Sequence, residues 1–90
     1  MFILMEPELH IRTIKEKVDK LLTDDPTYFL VSVKIKPTNN IKVYLDGDQG
    51  VTIEKCTAIN RALYKQLEEA QLFADGNFSL EVSSAGIGEP

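Results

Sequence analysis

The chain has 90 residues, of which 43% are hydrophobic and 27% are charged, and its formal net charge at pH 7 is −4. This length fits one domain with a single core, and the composition excludes an intrinsically disordered chain. The acidic balance argues against a domain that mainly binds phosphate backbones nonspecifically, because such affinity depends on a net basic surface. It leaves room for a local basic patch.

The sequence indicates a cytoplasmic protein that is not attached to a membrane. The apolar opening, MFILM, is shorter than the core of a signal peptide and is followed at once by Glu6 and Pro7. No other apolar run approaches the length that spans a bilayer. Cys56 is the only cysteine, whereas a secreted domain of this size usually carries cysteine pairs.

An amphipathic helix is predicted from Glu6 to about Thr23. Apolar residues recur there at spacings of three and four, which places them on one face of a helix. An acidic pair followed by Pro26 ends this helix. The apolar stripe consists of Ile11, Ile14, Val18, Leu21 and Leu22.

The segment YFLVSVKIK, residues 28–36, is predicted to be a β-strand because apolar and other residues alternate along it. The alternation gives one wholly apolar face and a second face that becomes basic toward its end, at Lys34 and Lys36. The residues expected to face the core are Phe29, Val31, Val33 and Ile35.

A hairpin is predicted where this strand ends. The turn PTNN contains Asn39 and Asn40, which tolerate the left-handed backbone conformation. The following strand, IKVYLD, alternates an apolar set with Lys42, Tyr44 and Asp46. Its core-facing residues are expected to be Ile41, Val43 and Leu45.

A second helix and a third strand complete the predicted order. After the loop at residues 47–50, Thr52 is predicted to be the N-cap of a helix that runs to about Ala70. The pair Asp75-Gly76 then marks a turn before the strand. The expected core-facing residues are Cys56, Ile59, Leu63 and Leu67 in the helix, and Phe78, Leu80 and Val82 in the strand.

The order helix, strand, strand, helix, strand indicates an α+β fold with two layers. Each strand has one apolar face and each helix has one apolar stripe. Both helices are therefore expected to pack on the same face of a three-stranded sheet, while the other face stays open. Two strand orders remain open, because the crossover through the second helix can place strand three parallel beside strand two or antiparallel beside strand one.

Residues that commonly carry catalysis or bind metals are sparse. With one histidine, His10, and one cysteine the chain cannot build a structural zinc site. Cys56 lies on the inward stripe of the second helix, where it is expected to act as a small buried hydrophobe. The acidic loop after Asp46 fails the ligand spacing of an EF-hand. We predict no enzyme, no cofactor and no metal site.

A basic patch is predicted on the open face of the sheet. Lys34 and Lys36 from strand one, with Lys42 and Tyr44 from strand two, place an aromatic ring among lysines. The alternative is that these lysines only keep a half-exposed sheet from aggregating. A second group lies on the second helix and consists of Arg61, Tyr64 and Lys65, where a pair between Lys65 and Glu69 could equally be routine helix stabilisation.

Two segments, VYLDGDQGVTIEKCTAINRAL and FSLEVSSAGIGEP, resemble the N-terminal half of the bacterial ribosome maturation factor RimP family. In that family, a strand ending in an acidic residue is followed by a Gly-Val-Thr helix start, a Cys and a Ser-Arg-Ala-Leu-like run. A Glu-Val-Ser-Ser-Pro-Gly signature ends its third strand, and Ala85 stands where the family usually has the proline. The matching residues are Asp46, Gly50, Val51, Thr52, Cys56, residues 60–63 and residues 81–86.

The resemblance implies a non-enzymatic factor that binds the immature small ribosomal subunit and promotes its maturation, with rRNA and small-subunit ribosomal protein twelve as partners. It also implies a C-terminal domain similar to an Sm-like barrel. Residues 1–82 would form the N-terminal domain, and residues 83–90 would begin the linker, with Ser83, Ser84 and Gly86 as interdomain loop candidates. The candidates for ribosome contact are Lys34, Lys36, Lys42, Tyr44, Arg61 and Lys65.

Two other functions fit parts of the sequence. A small self-associating or regulatory module would pair sheet edges with a second copy, which light scattering would detect, although we expect a monomer. A phosphate-binding enzyme similar to acylphosphatase would need an arginine in the loop before the second helix. The loop at residues 47–50 has none and lies near Asp46 and Asp48.

Overall fold

The computed structural model describes residues 6–73 and 76–85. Both helices and all three strands contribute to one hydrophobic core, and the α+β two-layer prediction is confirmed. The elements follow the predicted order: α1 Glu6–Leu21, β1 Tyr28–Lys36, β2 Asn40–Gly47, α2 Ile53–Ala70 and β3 Ser79–Ser84.

The sheet has the order β1-β2-β3, with β2 in the centre. β1 runs antiparallel to β2, and β3 runs parallel to β2, so α2 forms the crossover between two parallel strands. The structure thus selects one of the two strand orders that the sequence left open. The central position of β2 explains why Ile41, Val43 and Leu45 are at most 1% exposed.

The core lies between the sheet and the apolar stripes of the two helices. α1 and α2 bury the residues that their spacing of three and four predicts, while Ile11 and Leu21 lie at the edge of the core. The loop after α2 adds Phe73, whose ring contacts the ring of His10 edge-on. The buried helical residues are Ile14, Val18, Cys56, Ile59, Leu63 and Leu67.

Capping interactions fix both ends of α2. The side-chain oxygen of Thr52 accepts a hydrogen bond from the backbone N–H of Lys55 at 3.0 Å, which confirms the predicted N-cap. Glu54 lies in the first turn, where a negative charge complements the helix dipole. The helix ends at Ala70 and is capped by Gln71, which adopts the left-handed conformation and donates its backbone N–H to the carbonyl oxygen of Glu68.

β1 contains a β-bulge that its alternating sequence did not predict. Leu30 pairs with Leu45 and Ser32 pairs with Tyr44, so Val31 is an extra residue between two consecutive pairs. Because side chains alternate with a period of two, one extra residue reverses which positions face the core. Before the bulge the even-numbered Leu30 faces the core, and after it the odd-numbered Val33 and Ile35 do.

The bulge changes which side chains of β1 reach the core. Val33 is buried and Ile35 packs against the core, as predicted. The prediction that Phe29 and Val31 also face the core is wrong, because these side chains are 47% and 49% exposed. Leu30 packs against the core in their place. The first half of β1 thus exposes two apolar side chains on the open side of the sheet.

Matched valine substitutions test the bulge. Val33→Ala should lower the free energy of unfolding by about 1–3 kcal/mol, because it removes buried methyl groups and leaves a cavity. Val31→Ala should lower it by less than about 0.5 kcal/mol, because the side chain is half exposed. Urea denaturation followed by circular dichroism measures both values. Equal losses at the two positions would contradict the bulge.

The turn between β1 and β2 differs in one residue from the prediction. Thr38 and Asn39 have positive φ angles of 64° and 58°, whereas Asn40 is the first residue of β2. The side-chain amide of Asn40 instead donates hydrogen bonds to the carbonyl oxygen of Pro37 and to the hydroxyl of Thr38, both at 2.9 Å. The second asparagine therefore holds the turn through its side chain.

A turn before β3 directs its apolar side chains to the core. Gly76 has a φ of 73°, and its N–H donates to the carbonyl oxygen of Phe73 at 2.9 Å. Its predicted partner Asp75 lies outside the described residues. Val82 is buried and Phe78 packs against the core, as predicted.

Candidate docking surface on the open sheet face

The open face of the sheet is built from four rows of side chains that lie opposite one another across the strands, and the row at one end pairs Phe29 with Asp46. One row contains Lys34, Lys42 and Glu81, and the register places them directly opposite one another. The predicted set of three lysines and Tyr44 therefore lies on a single face. The neighbouring rows are Ser32, Tyr44 and Ser83 on one side, and Lys36, Asn40 and Ser79 on the other.

Glu81 neutralises the positive charge of one lysine, Lys42. The sequence analysis did not assign Glu81 to this face. Its Oε1 lies 2.5 Å from Nζ of Lys42. Lys42 donates a hydrogen bond to this carboxylate, and the bond together with the negative charge of Glu81 raises the pKa of Lys42 above the ordinary value. No ion pair with Lys34 or Lys36 occurs in the part of the chain that the structure describes. Two exposed positive charges therefore remain on the face.

The lysine row carries an internal repulsion. Lys34 lies directly opposite Lys42, and like charges at opposed positions on neighbouring strands destabilise a sheet. Glu81 relieves this repulsion from one side only, because β1 and β3 flank β2 on opposite sides. An anionic partner bound between the two lysines would relieve it from above.

The other end of the open face is apolar. Phe29 and Val31 are about half exposed, and Tyr44 is half buried beside them. The sequence analysis assigned the first two residues to the core because Phe29-Leu30-Val31 is a continuous apolar run. In such a run either Leu30 or the pair Phe29 and Val31 could face the core, so the sequence contained no signal for the bulge.

The remaining ribosome-contact candidates lie on a different surface. Arg61 and Lys65 are exposed on α2, which packs against the face of the sheet opposite to the lysine row. The ring of Tyr64 between them contacts the ring of Phe78 at a centroid distance of 4.7 Å, so Tyr64 partly serves packing. The six candidates therefore form two separate surfaces.

Arg61 borders a groove of about 440 Å³ between the start of α2 and the end of β3. Ser83 and Ser84 also line it, and both belong to β3, so the strand extends two residues beyond the predicted domain end. Ile53, at its rim, is 85% exposed. Gly86, the third interdomain loop candidate, lies outside the described residues.

Residues 6–73 and 76–85 contain no group of three or more histidine, cysteine, aspartate or glutamate side chains that could hold a metal ion. Neither helix in them has the length and apolar character needed to cross a membrane.

The chain matches a known family over most of its length. Residues 12–88 match the family model of the RimP N-terminal domain. The chain belongs to this family. The match begins within α1 and continues past β3, so it includes all three strands and the whole of α2. The open face and the groove both lie within the RimP N-terminal domain.

Curated relatives named ribosome maturation factor RimP are similar to most of the chain. The protein from Christiangramia forsetii is 40% identical over 81 residues, which cover 86% of this chain and 50% of the relative. That from Cytophaga hutchinsonii is 40% identical over 80 residues, and that from Flavobacterium psychrophilum is 35% identical over 77. These alignments cover 86% of this chain and 48% and 47% of the relatives. The chain spans about half the length of the curated relatives it matches.

The backbone of Ala85 continues the pairing with β2 past the end of β3. Its N–H donates to the carbonyl oxygen of Leu45 at 2.7 Å, at the position where the resemblance led us to expect a proline. Proline has no backbone N–H and could not make this bond. The alanine therefore adds a hydrogen bond between β2 and the residue that follows β3.

Removal of Glu81 tests the charge balance of the open face in this RimP domain. Glu81→Gln should lower the pKa of Lys42 toward its ordinary value, because the charged hydrogen-bond acceptor is lost. A raised pKa means that the pair stabilises the fold below the unfolded-state pKa of Lys42 and that this stabilisation disappears as pH rises through the folded-state pKa. The parent and Glu81→Gln should therefore differ in stability at neutral pH and converge in alkali.

An NMR titration of the lysine side chains measures this change. Glu69→Gln, which removes an exposed carboxylate from α2, serves as the matched control and should leave the Lys42 titration unchanged. Identical Lys42 titrations in the parent and in Glu81→Gln would show that the pair does not form in solution.

Proposed function

We propose that the chain is the N-terminal domain of a non-enzymatic assembly factor that binds the immature small ribosomal subunit and promotes its maturation. Membership of the RimP N-terminal domain family, together with relatives named ribosome maturation factor, carries this proposal. The relatives carry this name as whole proteins, and the chain spans about half their length.

The open sheet face is the proposed docking surface. It holds three of the ten lysine and arginine residues of a chain with a net charge of −4, and among the described residues Glu81 forms an ion pair with one of them, Lys42. A local cluster of positive charge on an acidic domain directs an anionic partner to one face. The exposed Phe29 and Val31 beside this cluster offer apolar contact area that the core does not use.

The proposed partners are rRNA and ribosomal protein of the small subunit, in a cytoplasmic setting. Arg61 and Lys65 would make secondary contacts from α2. We further propose that the domain is a monomer and that residues 83–90 lead to a second domain. Ser83 and Ser84 would end the fold beside the groove, and Gly86 would lie in the interdomain connection.

Co-sedimentation with ribosomal subunits tests the function. The chain should sediment with immature small subunits and to a much smaller extent with mature small subunits, because a maturation factor must leave the finished particle. Sucrose-gradient fractions probed for the chain measure both. Failure to sediment with immature subunits, or equal sedimentation with both, would refute the proposal.

A further inference from the structure

The open face combines two chemically different ends that lie side by side. Phe29, Val31 and Tyr44 form the apolar end, and Lys34, Lys36 and Lys42 form the cationic end. Successive rows on a strand are about 6.7 Å apart, so the face from the Phe29 row to the Lys36 row is about 20 Å long. One extended ligand can therefore contact both ends at once.

The apolar end offers rings to a ligand. Phe29 is 47% exposed and is not part of the hydrophobic core, so its ring is accessible from the open side of the sheet. Tyr44 lies diagonally across from it on β2, within reach of the same ligand. Unpaired nucleic-acid bases stack on aromatic side chains of this kind, whereas the bases of a duplex have their faces covered by neighbouring base pairs.

The cationic end attracts a negatively charged ligand. Lys34 and Lys42 repel one another across the strands, and Glu81 contacts only Lys42. Phosphates of a nucleic-acid backbone beside Lys34 and Lys36 would supply the missing charge. Because the whole chain is acidic, charge alone gives weak affinity, so stacking must add to it.

We propose that the open face binds single-stranded RNA, with unpaired bases stacked on Phe29 and Tyr44 and the adjacent phosphates beside Lys34 and Lys36. This inference rests on the proposed function, which supplies the immature subunit as the binding partner. It adds that the open face contacts unpaired RNA of that subunit. An RNA segment that is unpaired only before maturation would be bound in the immature particle and lost from the face once it pairs. A ribosomal protein is the competing partner.

Fluorescence anisotropy tests the inference with the chain and a labelled uridine oligomer of about ten nucleotides. The chain should bind this oligomer more tightly than an RNA duplex of equal length. Phe29→Leu with Tyr44→Leu keeps apolar bulk and should weaken binding by about tenfold, because stacking is lost. Lys34→Gln with Lys36→Gln should also weaken binding, and should reduce the slope of log affinity against log salt by about one per lysine.

Matched controls lie on α1, in the other layer of the domain. Leu9→Ala removes an exposed apolar side chain, and Lys15→Gln with Lys20→Gln removes two exposed charges. Both should bind RNA as the parent does, and thermal unfolding verifies that every variant is folded.

Three outcomes would overturn the inference: no binding of the single strand, equal binding of strand and duplex, or unchanged binding by both sheet variants. If the chain sediments with immature subunits while it fails to bind the single strand, the proposed function stands and the inference of RNA binding by the open face is refuted.

Discussion

Gly47→Ala is expected to lower the free energy of unfolding by about 3 kcal/mol, because the site has no room for a side chain. A Cβ atom there would lie 2.7 Å from the carbonyl oxygen of Gly50, 2.9 Å from Cδ1 of Tyr28 and 3.1 Å from the carbonyl oxygen of Thr27. Two of these three neighbours are backbone atoms, which cannot rotate away. The loop after β2 must therefore shift as a whole.

Hydrogen bonds hold this loop against the segment before β1. The N–H of Asp48 donates to Thr27 at 2.9 Å, and the N–H of Gly50 donates to Gly47 at 3.0 Å. The buried carboxylate of Asp46 accepts the N–H of Gly47 at 2.8 Å. A shift of Gly47 strains all three bonds, which is why we expect a loss at the upper end of the range for overpacked sites.

Gly50→Ala provides the matched control in the same loop. A Cβ atom at Gly50 meets nothing within 4 Å, but the residue has a φ of 81°. We expect a loss of about 1 kcal/mol from backbone strain alone. Urea denaturation compares the two variants. A loss for Gly47→Ala no greater than that for Gly50→Ala would show that the loop adapts without cost.

Charge reversal of the lysine row, Lys34→Glu with Lys36→Glu and Lys42→Glu, is expected to reduce affinity for immature small subunits by more than about 100-fold. The triple variant replaces three positive charges by three negative charges on the proposed docking surface. It also places a carboxylate of β2 opposite Glu81, so repulsion replaces the ion pair. Co-sedimentation at several salt concentrations measures the loss.

Two further variants separate folding from binding. Lys34→Glu with Lys36→Glu leaves the Lys42–Glu81 pair intact and should still weaken affinity by more than about tenfold. Lys15→Glu with Lys17→Glu and Lys20→Glu makes the same charge change on α1 and should retain most of the affinity. Equal losses for the sheet and helix variants would mean that only the net charge matters.

The sequence predicted the elements whose pattern has a single interpretation. α2 repeats its apolar residues over several turns and begins at Thr52, a side chain that can cap a helix. β2 alternates strictly from Ile41 to Leu45, and it occupies the buried centre of the sheet. In both elements the local pattern and the global packing agree, so their boundaries were predicted within a residue or two.

The sequence could not predict features that depend on long-range pairing. The apolar run at Phe29 and Val31 allows two alternations, and only the register against β2 selects one of them. The contact between Lys42 and Glu81 depends on the strand order, which the sequence left open. The lysines and Tyr44 were therefore predicted from the sequence, whereas the exposure of Phe29 and Val31 beside them was found only in the structure.

Site-specific photo-cross-linking from the open face tests the docking surface most directly. A thiol-linked photoreactive probe at Ser32→Cys would lie directly opposite Tyr44, in the row next to the lysine row, and Lys20→Cys on α1 is the control. Cys56 is buried, and burial raises the pKa of its thiol, so it should not take up the probe. We predict cross-links to immature small subunits from Ser32→Cys and none from Lys20→Cys. Cross-links from the control position alone would contradict docking through the open sheet face.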